Sequence, residues 1–178
     1  MIAGLILTDT EEEESHLAFL DDEGIETYSM KETREIVDRL VEKKPEIIAA
    51  DCGTELSGQE LTQQEQELKE EGYSFTPSSV EKKKVERMRA IERSVQHHAE
   101  KPPEIIRFDP RISSEELALH GDKSLESFGI DPSNINSSKQ FDAAVGAVTA
   151  RFYAENQFED LGVIVPQGLG SSDSEQKA

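Results

Sequence analysis

Apolar residues occur in short runs through the first part of the chain, and turn-forming residues separate these runs. Residues 2–8, 16–20 and 25–28 are rich in apolar and β-compatible side chains, and the last two runs are joined by Asp21-Asp22-Glu23-Gly24. Short runs joined by tight turns are typical of antiparallel strands. The pattern therefore predicts a three-stranded antiparallel meander at the start of the fold.

Helical and strand-like patterns alternate after the meander. Ser29 and Glu32 have the spacing of a capping box. The apolar face of the helix that follows consists of Ile36, Val37, Leu40 and Val41. Residues 46–50 have the composition of a strand buried on both faces, and residues 104–108 form a further strand. A helix between two strands favours a parallel crossover, so we expect a mixed sheet of five strands flanked by helices.

Two further helices carry the longest amphipathic patterns. The apolar face over residues 80–99 consists of Val85, Met88, Ile91 and Val95. The apolar stripe of the last helix consists of Phe141, Val145, Val148 and Phe152, and Ser137 with Gln140 caps its start. Ser113 with Glu116 caps a shorter helix between the two, and residues 162–165 form a last short strand.

The last helix contains one acidic residue, Asp142, among small residues. Those that follow it are Ala143, Ala144, Gly146, Ala147 and Ala150. Small side chains allow a helix to pack closely against a sheet, which would hold Asp142 near the sheet. The alternative is an ordinary packing helix with an exposed aspartate that is favourable to the helix dipole.

The composition indicates one domain with two more polar segments. A chain of 178 residues is long enough for one well-packed core, and we assign residues 1–167 to a single domain. In segment 53–79 the large aliphatic residues are Leu56, Leu61 and Leu68. This segment is predicted to be a polar insertion or lid outside the core, with an exposed helix over 58–71 capped by Ser57. Residues 168–178 are predicted to be a disordered tail.

Charge restricts the partners of this chain. The formal net charge of −19 opposes general binding to polyanions. Residues 80–98 reverse the sign, with six Lys or Arg against three Glu. Lys82, Arg89 and Arg93 lie together on one flank of that helix, which makes it the candidate surface for nucleic acid. The alternative is a solvated face with ion pairs between successive turns.

The single cysteine and the short first apolar run indicate a cytoplasmic protein. A single cysteine, Cys52, excludes an intramolecular disulfide. The first apolar run is too short for a membrane span, and no membrane partner is expected. Cys52 follows the predicted fourth strand, and a small buried residue is favoured over a nucleophile there. Nucleotide-binding loops, GxSxG and zinc-finger spacings are absent from the sequence.

Four motifs resemble one protein family. The helix FDAAVGAVTARFYA at 141–154 is similar to the last helix of the domain of unknown function 429 family, whose members are predicted nucleases. IIAAD at 47–51, IIRFDP at 105–110 and LGVIVP at 161–166 follow in the order that this family requires. The resemblance covers residues 1–166 and implies a ribonuclease H-like α/β fold.

The resemblance also implies a cluster of carboxylates that binds Mg²⁺ or Mn²⁺. Asp51 and Asp142 match two of the family's acidic positions and are the candidate catalytic residues and metal ligands. Two other acidic positions are occupied by Ile6 and Arg107. Isoleucine coordinates no metal, and fewer carboxylates weaken a site for an ion that dehydrates reluctantly. Asp9 is the candidate third ligand. Glu11 and Asp109 are the alternatives.

Arg107 has several possible roles in such a site. Its guanidinium can neutralise Asp51 or Asp142, or it can bind a phosphate group in a bidentate manner. We include Arg107 with the three basic residues of the helix flank as candidate contacts to nucleic acid.

Two hypotheses about function follow. In the first, the chain is a Mg²⁺- or Mn²⁺-dependent nuclease or phosphodiesterase. In the second, it is a catalytically inactive ribonuclease H-like protein that binds nucleic acid or a protein partner. The sequence does not decide between them.

Overall fold

The computed structural model describes residues 1–55 and 58–168. Its centre is a five-stranded sheet in the order β3-β2-β1-β4-β5. The strands are β1 Ile2–Ile6, β2 Ser15–Asp21, β3 Gly24–Met30, β4 Ile47–Ala50 and β5 Glu104–Arg107. The first three strands pair antiparallel, and β4 and β5 add in parallel. The predicted mixed sheet of a meander plus two parallel strands is confirmed.

Helices cover both faces of this sheet. They are α1 Thr33–Lys43, α2 Gln63–Glu70, α3 Lys82–His98, α4 Pro110–Glu116 and α5 Ser138–Ala154. Short 3-10 turns over Asp122–Phe128 and Pro132–Asn134 precede α5, and strands β6 Phe158–Asp160 and β7 Ile164–Pro166 follow it. The predicted last strand is therefore part of a separate two-stranded hairpin. None of the helices in the described part of the chain is long and apolar enough to cross a bilayer.

Alternation along the strands divides the core into two layers. Leu5 of β1 packs with α1 and α3 on one face of the sheet, whereas Ile6 packs with α5 on the other. Residues of β4 alternate in the same way, with Ile48 on the first face and Ala49 on the second. The apolar runs therefore make a three-layer sandwich in which the central strands are covered on both sides.

Helix α5 lies almost in backbone contact with β1. A Cβ atom placed on Gly4 would lie 2.0 Å from the carbonyl oxygen of Ala143 and 2.5 Å from the amide nitrogen of Ala147. The predicted stripe on α5 is confirmed, with Val145 and Val148 completely buried. The small residues thus act as expected, and their close contact fixes the position of Asp142 at the start of the helix.

The insertion is packed more firmly than its composition predicts. Leu68 of α2 is completely buried and belongs to a small apolar cluster with Ile112, Val163 and Val165. The prediction that this segment lies outside any core is wrong for α2, because α4 and the final hairpin provide a second small core for it. The predicted cap Ser57 lies outside the described residues. Helix α2 is instead capped by a complete capping box of Thr62 and Glu65.

Two of the predicted helix caps are also wrong. The hydroxyl of Ser29 contacts Nδ1 of His16 across the sheet at 2.8 Å, and α1 begins without a side-chain cap. Ser113 lies inside α4, where its buried hydroxyl accepts a hydrogen bond from Thr149, and Asp109 caps that helix. The Ser137 cap of α5 is confirmed by its hydrogen bond from the Gln140 amide.

Candidate functional site

A charged cleft of about 270 Å³ lies at the ends of β4 and β5 and beside the start of α5. Its acidic lining residues are Asp51, Glu81, Asp109 and Asp142, and its basic lining residues are Lys84, Arg107, Arg111 and Lys139. The cleft therefore has a formal charge near zero on a chain whose net charge is −19. The fold brings the two candidate catalytic residues, Asp51 and Asp142, to this one cleft.

Asp51 is buried, and both of its carboxylate oxygens have partners. It follows β4 directly, and its Oδ1 accepts a hydrogen bond of 3.0 Å from the Leu7 amide at the end of β1. Its Oδ2 lies 2.7 Å from Nζ of Lys84, and the Asp51 and Lys84 side chains are only 9% and 11% exposed. The carboxylate thus joins the two central strands to α3 through a buried ion pair.

Lys84 supplies the cation of this pair from the first turn of α3. Its ammonium also lies 3.5 Å from Oε1 of Glu81. Burial lowers the pKa of Lys84, but Asp51 and Glu81 outweigh burial and raise the pKa above its ordinary value. Burial also raises the pKa of Asp51 against the opposing effect of Lys84. The raised pKa of Lys84 favours its charged ammonium form beside the two carboxylates.

The position of Lys84 in the sequence of α3 predicts that its side chain is buried, although the composition of the helix does not. Lys84 precedes Met88 by four residues and Ile91 by seven, so it continues the buried stripe of α3 toward the start of the helix. A lysine on the apolar face of an amphipathic helix is unusual, because lysine is almost never buried without a partner. Its place on the stripe thus indicates a buried acidic partner.

Asp142 differs from the other three carboxylates of the cleft. Within the described residues it has no side-chain hydrogen-bond or ion-pair partner. It lies in the second turn of α5 and is partly buried. Burial raises its pKa, Lys139 opposes the rise, and the charges of Asp51 and Asp109 add to it. The negative charge of Asp51 in the same cleft thus disfavours the ionised form of Asp142.

Arg107 pairs with neither of the acids considered from sequence. Both terminal nitrogens of its guanidinium lie 3.3 Å from Oε2 of Glu65. Glu65 is 1% exposed and also accepts hydrogen bonds from the amides of Thr62 and Ser78. Burial raises the pKa of Glu65, but these donors and Arg107 outweigh burial and lower it. Through its contact with Glu65, Arg107 thus links the insertion to the end of β5.

The basic residues of α3 divide into two groups. Lys82, Arg89 and Arg93 are exposed, and none of them forms an ion pair within the described residues. Lys84 and Arg87 point inward. The guanidinium of Arg87 donates to the carbonyls of Thr8, Thr10 and Lys31 and so joins the β1–β2 loop to the start of α1.

The other candidates from sequence lie outside the centre of the cleft. Asp9 is exposed in the β1–β2 loop and does not line the cleft. Glu11 accepts a hydrogen bond from the Thr33 amide at the start of α1. Asp109 lines the cleft but caps α4 through two amides. Cys52 is buried, and burial raises the pKa of its thiol, so a nucleophilic thiolate is not favoured.

The side chains present do not fit a bound Mg²⁺ or Mn²⁺ ion. These ions require several oxygen ligands, whereas Lys84 already occupies one side of the Asp51 carboxylate. Ile6 at the end of β1, whose side chain has no ligand atom, is 4% exposed in the apolar core. Within residues 1–55 and 58–168, no group of three or more His, Cys, Asp or Glu side chains is arranged to hold a metal.

Comparisons with known proteins bear on the fold. No model of a known protein family matches this sequence, and no curated protein matches it. The RuvC protein of Thermus thermophilus in complex with a Holliday junction substrate is similar, with a TM-score of 0.55 and 16% identity over 93% of this chain and 98% of that chain. A further structure of Thermus thermophilus RuvC has a TM-score of 0.52 and 12% identity over the same shares.

These similarities define the class of fold. The chain has the ribonuclease H-like fold, which its order of strands and helices predicts. Membership in the domain of unknown function 429 family stays a prediction, since no family model matches. A shared fold does not establish an activity, so the function of this chain depends on its own cleft and surface.

Proposed function

We propose that this chain is a ribonuclease H-like protein that binds nucleic acid without cleaving it by a metal-dependent reaction. The observation that carries this proposal is the ammonium of Lys84, held 2.7 Å from the carboxylate of Asp51 in the cleft. A metal-dependent nuclease needs divalent cations to activate water and to stabilise the charge that develops on the phosphate. A lysine ammonium provides one fixed positive charge and no coordinated water.

The exposed flank of α3 supports nucleic acid as the partner. Lys82, Arg89 and Arg93 form no ion pair within the described residues, so their charges remain available to phosphate groups. The alternative of a flank filled with ion pairs is therefore less favoured. One similar RuvC structure contains a Holliday junction substrate, which supports a nucleic acid over a protein as the partner of this fold.

The first test of the proposal is cleavage. We expect the protein to yield no product from single-stranded, duplex or branched DNA and RNA at low salt, with Mn²⁺ or Mg²⁺ present. Product formation on denaturing gels is the measurement, and the Asp51→Asn variant controls for contaminating nucleases. Cleavage by the wild-type protein that this variant lacks would overturn the proposal.

A metal-dependent nuclease or phosphodiesterase is the second candidate function. The observation in its favour is Asp142, which is partly buried, has no close partner in the described contacts, and shares the cleft with Asp51 and Asp109. In this alternative Asp51 and Asp142 remain the proposed ligands, and Asp9 or Asp109 assists. The ion pair between Asp51 and Lys84 and the burial of Ile6 in the apolar core weigh against this alternative.

The second test concerns the binding surface. Replacing Lys82, Arg89 and Arg93 with Glu is expected to weaken nucleic-acid binding and to flatten its salt dependence. Each lost phosphate contact reduces the slope of log K against log salt by about 0.9. Affinities measured by fluorescence anisotropy at several salt concentrations give this slope.

The matched control for this test replaces three exposed lysines elsewhere, Lys31, Lys101 and Lys123, with Glu. Both triple variants change the net charge by the same amount, so a general charge effect would weaken binding equally in both. A larger loss in the α3 variant supports the proposed surface. Equal losses of affinity in the two variants, or unchanged salt slopes, would contradict the proposed surface.

A further inference from the structure

The exposed flank of α3 begins at the rim of the cleft. Lys82 lies between Glu81 and Lys84 in the chain, and both of these residues line the cleft. Because a helix rises about 1.5 Å per residue, the flank extends roughly 16 Å from Lys82 to Arg93. A nucleic acid bound along this flank therefore reaches the mouth of the cleft.

Two further basic residues, Arg111 and Lys139, line the cleft from other elements. Arg111 lies in the first turn of α4, and Lys139 lies in the first turn of α5. Both side chains are exposed, and neither of them forms an ion pair within residues 1–55 and 58–168. Two cations from separate helices are thus available to an anion at the mouth of the cleft.

The other two basic residues of the cleft are already compensated inside the protein. The ammonium of Lys84 lies 2.7 Å from Oδ2 of Asp51. The guanidinium of Arg107 lies 3.3 Å from Oε2 of Glu65. These two charges hold segments of the fold together, so they add little attraction for an external phosphate group.

We propose that a nucleic-acid strand crosses the mouth of the cleft, and that Arg111 and Lys139 bind one of its backbone phosphate groups there. This inference rests on the proposed function, because it extends the surface that binds nucleic acid. It goes further in placing the strand across the end of the sheet, since α3 and α5 cover opposite faces. The arginine fork suits two phosphate oxygens, and the lysine adds a point charge.

Asp142 provides a test with the opposite sign. It lines the same cleft three positions after Lys139, and the charge of Lys139 opposes the rise in the pKa of Asp142. The two charges are therefore close enough to interact. A carboxylate at this place repels a phosphate held by Lys139, whereas a phosphate held through a divalent cation would depend on that carboxylate.

The experiment measures nucleic-acid binding by the full chain in EDTA, by fluorescence anisotropy at several salt concentrations. The probe is the single-stranded or duplex oligonucleotide that the wild-type protein binds most tightly, with 5′-hydroxyl ends, so that only backbone phosphates are present. Arg111→Gln combined with Lys139→Gln is the principal variant. Lys101→Gln combined with Lys123→Gln is the matched control, because these lysines are exposed elsewhere and the change in net charge is equal.

The principal variant is expected to bind roughly three- to tenfold more weakly than the control. Its slope of log K against log salt should fall by about 0.7 to 0.9, the value for one lost phosphate contact. Equal affinities and slopes of the principal variant and the control overturn the inference.

Asp142→Asn is expected to bind roughly two- to fivefold more tightly than the wild type. Asp22→Asn is its control, since Asp22 is exposed in the β2–β3 turn and the change in charge is the same. The melting temperature of each variant verifies that it is folded. Weaker binding by folded Asp142→Asn, or the same gain in both variants, contradicts the inference.

The proposed function and this inference fail in different ways. Cleavage of DNA or RNA by the wild-type protein contradicts the proposed function, whatever Arg111 and Lys139 bind. Absence of any nucleic-acid binding by the wild type contradicts both. Binding that is weakened by changes in the α3 flank, but not by changes at Arg111 and Lys139, contradicts this inference alone.

Discussion

Replacing Gly4 with alanine is expected to lower the free energy of unfolding by about 3 kcal/mol or more. The new Cβ would lie 2.0 Å from the Ala143 carbonyl oxygen and 2.5 Å from the Ala147 amide nitrogen. Both are backbone atoms of α5, so they cannot move aside by rotation of a side chain. The helix as a whole has to retreat from β1, which loses packing along the centre of the core.

Urea denaturation of the variant measures this loss, and Gly58→Ala is the control. No atom lies within 4 Å of a Cβ placed on Gly58, so its stability is expected to change by less than about 0.5 kcal/mol. Equal stability of the Gly4 and Gly58 variants would show that α5 is not in close contact with β1. A retreat of α5 would also displace Asp142 from the cleft.

Removing the charge of Lys84 is expected to produce the second large effect. Lys84→Met keeps most of the side chain's length but leaves Asp51 as a buried and uncompensated carboxylate. Loss of one partner of a buried ion pair costs about 3–5 kcal/mol. The free energy of unfolding, measured in urea without divalent ions, should fall by that amount.

A double-mutant cycle separates the charge effect from lost packing. Combining Asp51→Asn with Lys84→Met removes both charges, so the double variant is expected to regain most of the stability that Lys84→Met loses. Additive losses in the two single variants and the double variant would contradict the buried pair. They would indicate instead that Lys84 and Asp51 stabilise the fold separately.

The two effects have a common structural origin. Close contact between Gly4 and α5 holds Asp142 at the cleft on one side of the sheet, and the Asp51–Lys84 pair joins α3 to the other side. The cleft therefore lies where both layers of the sandwich meet the ends of the central strands.

Several elements could be predicted because their signals are local. The strands follow from short apolar runs between turns, and α5 follows from its apolar stripe and from Ser137, whose side chain needs only the nearby amide of Gln140. Such interactions join residues within a few positions of each other, so the sequence order determines them. The predicted meander and the parallel addition of β4 and β5 are also confirmed.

Predictions failed where a polar side chain had a more distant partner available. Ser29 and Ser113 have local capping patterns, but His16 and Thr149 contact their hydroxyls after folding. The sequence leaves the partner of Arg107 open, and in the structure it pairs with Glu65, which is 42 positions away. A short sequence pattern cannot rank a local hydrogen bond against a contact that forms only when distant segments meet.

The sequence by itself determined the ribonuclease H-like order of strands and helices, and it indicated Asp51 and Asp142 as the candidate acidic residues. Tertiary structure decided which charge Asp51 pairs with. Lys84 is one of six basic residues between Val80 and His98, and only the packing of α3 against the sheet turns it inward. The physical reason is that burial makes an ion pair selective. Exposed lysines differ little from one another, whereas a buried one requires the acid it faces.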